Sequence, residues 1–435
     1  MAFLPAQGAP GSIRSRTGRL LFAALPLVCV AGLSCSETQQ PLEWRDAVRG
    51  GLGETRRVTS DQALVSSAHD SVVVATGSAS RWLVGKVERS GTTHSARAFL
   101  RWDVTGLPEG EITSAHVDLL VAGLDASDPQ DSGPFQLRLY EVRGEWSEDS
   151  LNLGPLPEVN IGAPLADATI DTAGLGAADG VLTRANLFED PDLIALIDDW
   201  RADSSSNRGI MLRASSASPA GVLRFFSREG TDPAAGSALA TPLLVVEVQG
   251  TDTTTVSLEA VADAYAMGAT GPASALPESL LVVSSGFVQR AALRLNPAVL
   301  LCAPEGGNLP TEAVIRGVLR LSLMPGEDWS LPVGRTIQLR VYEAEVDWAS
   351  PTPLASATLG AYIGGLTVAG ADSTVEVPIA PHLRRLVEGE ERSLVLECRP
   401  EIGGFASILL KNQTARRGRP ELEVVFGPLG GRRGR

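Results

Sequence analysis

Apolar and polar residues alternate with a period of two along much of this chain, and this pattern predicts β-strands. In RAFLRWDV (97–104) the even-numbered residues are apolar and lie on one face, whereas charged residues dominate the other face. Further strands are predicted at 112–121, 135–142, 209–213, 222–227, 243–248, 280–284, 290–295, 313–323, 338–344, 393–397, 406–411 and 421–426. Apolar residues at helical spacing, each run opening at or next to a proline, predict short helices at 191–202 and 380–387. Short strands joined by turns rich in Gly and Pro are typical of an antiparallel β-sandwich.

The same motifs occur twice, in the same order and about 190 residues apart. RAFLRWD (97–103) matches RAALRLN (290–296), and QLRLYEVRGEW (136–146) matches QLRVYEAEVDW (338–348). NRGIMLRA (207–214) matches ERSLVLEC (391–398), and TPLLVVEV (241–248) matches RPELEVVF (419–426). A repeat of this length is a whole domain, because solenoid units run to about 20–50 residues. We therefore predict an all-β chain of two tandem β-sandwiches, 57–248 and 254–427, each with one short helix, joined by a linker at 249–253 and followed by a basic tail at 428–435.

The N-terminus has the composition of a signal peptide over residues 1–35. Arg14, Arg16 and Arg19 precede a charge-free segment, 20–33, which is too short to span a bilayer as a helix. The segment leads into Gly-Leu-Ser-Cys (32–35), which resembles a bacterial lipobox with two positions exchanged, so Cys35 is a candidate lipidation site. Cleavage without lipidation is the alternative, and both place the mature chain outside the cytoplasm. The polar residues 36–56 suit a flexible tether.

Composition narrows the classes of partner. The 435 residues carry a formal net charge of −14, which argues against binding of a nucleic-acid backbone.

Of the cysteines, only Cys302 and Cys398 lie beyond the signal region. In an oxidising compartment they are candidates for a disulfide, and two buried thiols are the alternative.

Several of these motifs resemble the DNRLRE domain, a module of bacterial and archaeal surface and secreted proteins. In the first repeat the resemblance rests on 97–121, 137–151, the helix ending in Asp199-Trp200, NRGIMLR (207–213), FFSRE (225–229) and TPLLVVEV (241–248). The second repeat is more diverged, with LKNQ (410–413) in place of FSRE. The resemblance implies a jelly-roll-like β-sandwich. Related modules are carbohydrate-binding modules that recognise acidic polysaccharides such as alginate.

No catalytic motif is apparent, and we predict no enzyme activity and no cofactor. None of His69, His94, His116 and His382 lies in a nucleophile or zinc motif. A lyase or hydrolase built on a pair of carboxylates is the weakest of the functional hypotheses.

A structural calcium ion is one interpretation of the segment LDASDPQDSG. Asp125, Asp128 and Asp131 lie there, and carboxylate oxygens are the ligands that Ca²⁺ prefers. The spacing is not that of an EF-hand, and a solvated acidic turn is the alternative.

Arginines on the strands are the candidate ligand-binding residues. Arg97, Arg101 and Arg138 recur in the second repeat as Arg290, Arg294 and Arg340. A guanidinium group binds a carboxylate through two parallel hydrogen bonds, so a stripe of them suits acidic sugars. A solvated sheet face is the alternative.

Two tryptophans, Trp146 and Trp348, occupy equivalent places just past a strand in the two repeats. They are either platforms for sugar rings or residues that cap the core. The sequence therefore predicts a secreted or lipid-anchored protein that binds an acidic polysaccharide or another cell-surface polymer without catalysis. The alternative is a structural or adhesive surface protein without a sugar ligand.

Overall fold

The computed structural model describes residues 55–59, 64–71, 75–89, 92–126, 133–151, 160–172, 175, 183–230, 241–270, 279–286, 288–295, 314–324, 335–344, 359–387, 390, 392–399 and 406–426. These residues form a predominantly β structure with two short α-helices, which confirms the all-β prediction. The signal peptide with Cys35, most of the predicted tether and the basic tail lie outside the described residues. In the described part of the chain, neither helix has the length and apolar character needed to cross a bilayer.

Twelve strands and one helix come from the part of the chain up to Thr270. They are β1 (Thr55–Thr59), β2 (Leu64–Ser71), β3 (Arg81–Arg89), β4 (Thr92–Trp102), β5 (Glu111–Ala126), β6 (Phe135–Val142), β7 (Ile161–Ile170), β8 (Thr183–Leu187), α1 (Pro191–Ala202), β9 (Ile210–Ala214), β10 (Gly221–Phe226), β11 (Leu243–Gln249) and β12 (Thr253–Thr270). A 3₁₀ turn, Ser204–Ser206, follows α1. The helix begins at Pro191, and the Asp190 side chain caps it by accepting a hydrogen bond from the Asp192 amide.

The remaining described residues form nine strands and the second helix. They are β13 (Leu280–Ser285), β14 (Gln289–Leu295), β15 (Val314–Ser322), β16 (Thr336–Ala344), β17 (Leu359–Ala369), β18 (Thr374–Pro378), α2 (Ala380–Val387), β19 (Leu394–Arg399), β20 (Ala406–Lys411) and β21 (Glu421–Phe426). Each strand and helix predicted from the sequence overlaps one of the observed elements.

Six strands of the first half form a closed ring. Their order is β12-β11-β5-β10-β3-β4, and β4 pairs back to β12. Strands β9, β6 and β7 extend the sheet from β4, while β8 pairs with β5. All these pairings are antiparallel. Because the ring is closed, its strands have no unpaired edges. Unpaired edges are the usual sites of unwanted pairing with other chains.

The second half has corresponding pairings in two sheets. One has the order β1-β21-β15-β18 and the other β17-β16-β19-β14-β13-β20, with β2 paired to β14. A single bridge between Leu323 and Leu410 connects the end of β15 to β20. The counterparts of the first ring are therefore present here, with β1 and β2 in the places that the two ends of the long strand β12 occupy.

The opening strands pair across the predicted domain boundary. Strand β12 follows the predicted linker, yet it pairs with β11 and β4 of the first half. Strands β1 and β2 lie at the start of the predicted first sandwich, yet they pair with β21 and β14 of the second half. The segment 249–253 forms the tight connection between β11 and β12. Each half is thus completed by strands that the sequence places with the other half.

Buried side chains reinforce this exchange. Tyr265 and Met267 of β12 lie in the core of the first half, at 0% and 1% exposure. Leu64 of β2 lies in the core of the second half. Burying a large apolar side chain stabilises a fold by about 1.5–3 kcal/mol, so removing either exchanged strand leaves a hole in the other half's core.

Cutting the chain between β11 and β12 tests the exchange. We expect that a protease site inserted at Gly250–Asp252 can be cleaved without separating the two fragments, because each fragment holds strands of the other. Gel filtration of the cleaved, undenatured protein is the measurement, and separation of the fragments in denaturant is the control for complete cleavage. Two folded fragments that elute apart in buffer contradict the exchanged arrangement.

Candidate functional site

Three arginines form a row across neighbouring strands of the first half. Arg97 of β4 lies opposite Arg213 of β9, and Arg213 lies opposite Arg138 of β6. Beyond them, Arg138 lies opposite Asp167 of β7. We call Arg97, Arg213 and Arg138 the arginine row. Adjacent strands are about 4.8 Å apart, so three guanidinium groups converge on a small area of one sheet face.

A turn before β9 fixes the register that brings Arg213 beside Arg97. The Asn207 side chain donates to the Trp102 carbonyl oxygen at 2.7 Å and accepts from the Gly209 amide at 3.1 Å. Gly209 has φ +79°, and a Cβ there would lie 2.1 Å from the Leu100 carbonyl oxygen. Only glycine fits this position without strain, which gives the NRG motif a structural role.

Charge in the arginine row is only partly compensated. Arg138 forms a bidentate pair with Asp167, at 2.6 and 2.8 Å, which raises the pKa of Arg138 and lowers that of Asp167. Burial and then the neighbouring Arg213 lower the pKa of Arg97. The Nε atom of Arg97 is buried and has no hydrogen-bond partner within the described part of the chain. The row is therefore a local excess of positive charge with an unused donor.

An apolar cluster lies beside the row on the same sheet face. Phe99, Met211 and Trp146 are buried there, at 1%, 1% and 7% exposure, and the rings of Phe99 and Trp146 are 5.7 Å apart. The Trp146 indole donates to the Arg208 carbonyl oxygen at 2.7 Å. Trp146 thus caps the sheet face and is not an exposed platform for sugar rings.

Arg101 is separated from the arginine row. It is four residues from Arg97, about 13 Å along the strand, and its guanidinium group lies over the Trp146 ring at 5.6 Å. On that side is an open recess of about 410 Å³, lined in part by Asp103, Ser204 and Asn207. The structure therefore joins Arg97 to Arg138 through Arg213 and places Arg101 at a different spot on the face.

The FSRE and WSED motifs hold the loop that carries Trp146. Arg228 forms ion pairs with Glu148 at 3.1 Å and with Glu229 at 3.0 Å. Glu148 accepts from the Asp263 amide at 2.8 Å, and the Asp263 carboxyl accepts from the Arg228 amide at 2.7 Å. Asp263 is 1% exposed, and burial raises its pKa to about 7. These motif residues therefore hold one another and the loop with Trp146 in place.

The equivalent row in the second half is interrupted by a glutamate. Arg340 of β16 lies opposite Glu397 of β19, in the place of Arg213. Glu397 is fully buried, pairs with Arg290 at 3.3 Å and also contacts Arg399. Hydrogen bonding to Tyr342 raises the pKa of Arg340. Arg294 of β14 is half-buried, and Trp348 lies outside the described residues.

The acidic segment proposed for calcium begins inside a strand. Asp125 belongs to β5, is 6% exposed, and pairs with Arg224 at 3.4 Å and with Arg335. Its carboxylate is occupied by two cations, which explains its burial without a metal. Asp128 and Asp131 lie outside the described residues. No group of three metal-ligating side chains occurs among the residues that the structure describes.

Two other buried polar groups belong to the second half. The His382 ring and Arg385 both bind the buried Glu343 carboxylate, at 2.7 and 2.8 Å, and burial lowers the pKa of His382. Cys398 is fully buried, with Sγ 3.4 Å from the Val283 carbonyl oxygen. Cys302 lies outside the described residues, so the predicted disulfide stays a prediction.

Arg213 belongs to the arginine row but is not among the arginines predicted from the sequence to bind a ligand. The aligned motifs NRGIMLRA and ERSLVLEC place Arg213 against Glu397, and this difference in sign was the available signal. The role of this charge difference becomes clear only from the structure, in which β9 lies between β4 and β6.

No protein-family model matches this chain, and no curated protein matches it. Among solved structures, the chain is similar to a protein from Parabacteroides distasonis that is described as secreted. The sequence identity is 11%, with 85% of this chain and 99% of that chain covered, and the TM-score is 0.20. A TM-score this low does not establish a shared fold.

The buried Asp263 carboxyl gives the fold a pH dependence. A folded-state pKa of about 7, against 3.8 for an ordinary Asp, means that the folded chain binds this proton more tightly than the unfolded chain. Stability from this group is full below about pH 4 and is lost as the pH rises through about 7.

We expect Asp263→Asn to remove this loss and to raise the unfolding free energy at pH 8 by on the order of 4 kcal/mol at most. Urea unfolding across about pH 4 to 8 is the measurement. Asp252→Asn, at an exposed position, is the control. A variant whose pH profile parallels that of the wild type would show that Asp263 does not titrate as described.

Proposed function

We propose that this chain is a non-catalytic protein of the cell exterior that binds a carboxylate-bearing polysaccharide through the arginine row of its first half. The single observation that carries the proposal is the convergence of Arg97, Arg213 and Arg138 on one sheet face with one carboxylate, Asp167, paired among them.

The proposed architecture is a duplicated antiparallel β-sandwich of jelly-roll-like topology. The corresponding order of strand partners in the two halves supports duplication, as do the matching positions of α1 and α2 in the chain. The resemblance to DNRLRE modules is consistent with such a fold. We propose the duplicated unit as a binding scaffold because rigid strands hold side chains more precisely than loops do.

The chemistry of the row favours a carboxylate ligand. Guanidinium groups are always charged and offer paired N–H donors that match a carboxylate. The Nε donor of Arg97 is buried and has no hydrogen-bond partner among the described residues, and a bound anion would satisfy it. On a chain with a net charge of −14, this positive row is a local exception that would attract an acidic polymer against the overall repulsion.

The location rests on the sequence. The signal-peptide pattern and the lipobox-like Cys35 support export, with lipid anchoring as the finer proposal and free secretion as its alternative. We propose no cofactor and no nucleic-acid partner.

A structural or adhesive role without a sugar ligand is the second candidate. The exchange of β1, β2 and β12 between the halves favours it, because a chain completed in this way resists separation under load. The two roles are compatible in one molecule, and ligand binding distinguishes them.

Removing part of the arginine row tests the proposal. We expect the purified, signal-free chain to bind soluble polyuronates such as alginate, with affinity that falls as salt rises. Arg97→Ala with Arg213→Ala is expected to weaken binding at least about tenfold, because two charge-assisted contacts are lost.

The matched control is Arg416→Ala with Arg417→Ala, which removes the same charge from an exposed segment. Affinity electrophoresis in gels containing acidic or neutral polysaccharide is the measurement. Equal weakening by both double variants would reduce the effect to net charge. A folded wild-type chain that no glycan retards would favour the structural role.

A further inference from the structure

The two halves carry opposite charges at the middle position of the row, and this difference concerns the proposed binding function directly. In the first half, Arg213 is the middle residue of the arginine row. In the second half, Glu397 is the middle residue, opposite Arg340 in register and paired with Arg290. The flanking arginines are therefore kept in both halves while the central charge is reversed.

We infer that the Glu397 carboxylate occupies, in the second half, the place that a ligand carboxylate takes in the first half. The second half is then closed to acidic ligands by its own side chain. The chain binds one acidic glycan segment, and the residue at positions 213 and 397 decides whether a half is open. This inference rests on the proposed function.

The contacts of Glu397 are those of a bound carboxylate. Its oxygens lie against the guanidinium groups of Arg290, at 3.3 Å, and of Arg399. The side chain is fully buried, whereas Arg399 remains 40% exposed. A recess of about 530 Å³ beside Arg399 is lined by Thr336, Gln338 and Thr367. Among the described residues of this lining Arg399 is the charged one, and Glu397 already pairs with it.

A tethered carboxylate excludes a free one effectively. Glu397 is held on β19 next to its partners, so its effective concentration at the site is far above that of a dissolved ligand. A glycan carboxylate would have to displace it and leave a buried charge without a partner, which is strongly unfavourable.

In the first half, the middle of the row carries a positive charge instead of a carboxylate. Arg97 and Arg213 are adjacent cations, and the pKa of Arg97 is lowered partly by Arg213. An anion between them relieves this repulsion and supplies the partner that the Arg97 Nε atom lacks among the described residues. Arg213 therefore opens the site and selects a negatively charged ligand.

Exchanging the central charge tests the inference on the full-length, signal-free chain. Arg213→Glu is expected to place a carboxylate beside Arg97, as Glu397 lies beside Arg290 in the second half. It should abolish measurable binding of an oligouronate of defined length and raise the melting temperature by about 2 °C or more. Arg213→Ala should weaken binding without this rise, which separates closure of the site from simple loss of a cation.

Isothermal titration with oligoguluronate gives the stoichiometry. The wild type should bind one equivalent, and Arg340→Ala in the second half should leave the affinity within about twofold. Glu397→Gln, which keeps the shape of the side chain, should add a second equivalent in a folded protein. Should this variant not fold, Arg213→Glu still decides the matter through its paired loss of binding and gain in stability.

The failures are distinguishable. Two equivalents bound per wild-type chain would overturn the closure by Glu397 and leave the proposed function standing. No binding by the folded wild type would overturn the proposed function, and the inference with it. Arg213→Glu that binds as the wild type does would overturn the role of Arg213.

Discussion

The pairing of β12 with β4 is the interaction on which the first half depends. Strand β12 closes the six-strand ring at both ends, through β11 and β4, and buries Tyr265 and Met267 in the core. Without it, β4 and β11 would present unpaired edges and the core would be open. Because β12 is followed by the second half, and β1 and β2 of the N-terminus complete that half, each half contains strands from the chain segment of the other. The structure is in this sense one folding unit built from two similar parts.

This constraint also positions the candidate site. Strand β4 is fixed on one edge by β12 and on the other by β3 and β9, so Arg97 lies on a strand with no freedom to shift register. The turn at Asn207–Gly209 sets β9, and with it Arg213, against this fixed strand. The loop with Trp146, held by Arg228 and Glu148, closes the adjoining part of the face. The motif residues are thus largely structural, and the centre of the row carries opposite charges in the two halves.

The strands and helices could be predicted because alternation and helical spacing are local properties of the sequence. The strand exchange could not be predicted, because alternation of apolar and polar residues identifies a strand but not the strand that pairs with it. In addition, the two halves are similar, so each strand has an equivalent position in both halves. The alternation predicts that the strand ends near Val121 and places Asp125 in a loop, whereas β5 continues to Ala126 and buries Asp125 between Arg224 and Arg335. The sequence predicts a stripe of Arg97, Arg101 and Arg138 on one sheet face, whereas the structure has a row across three strands in which Arg213 takes the place of Arg101. Rows across a sheet depend on strand order, which is the part of the fold that the sequence leaves undetermined.

A crystal structure of the signal-free chain with an oligoguluronate would show directly whether the arginine row binds the glycan. We expect one glycan segment per chain, with a carboxylate between the guanidinium groups of Arg97 and Arg213 and with Glu397 still paired to Arg290. A glycan bound on another surface, or bound to both halves alike, would contradict it.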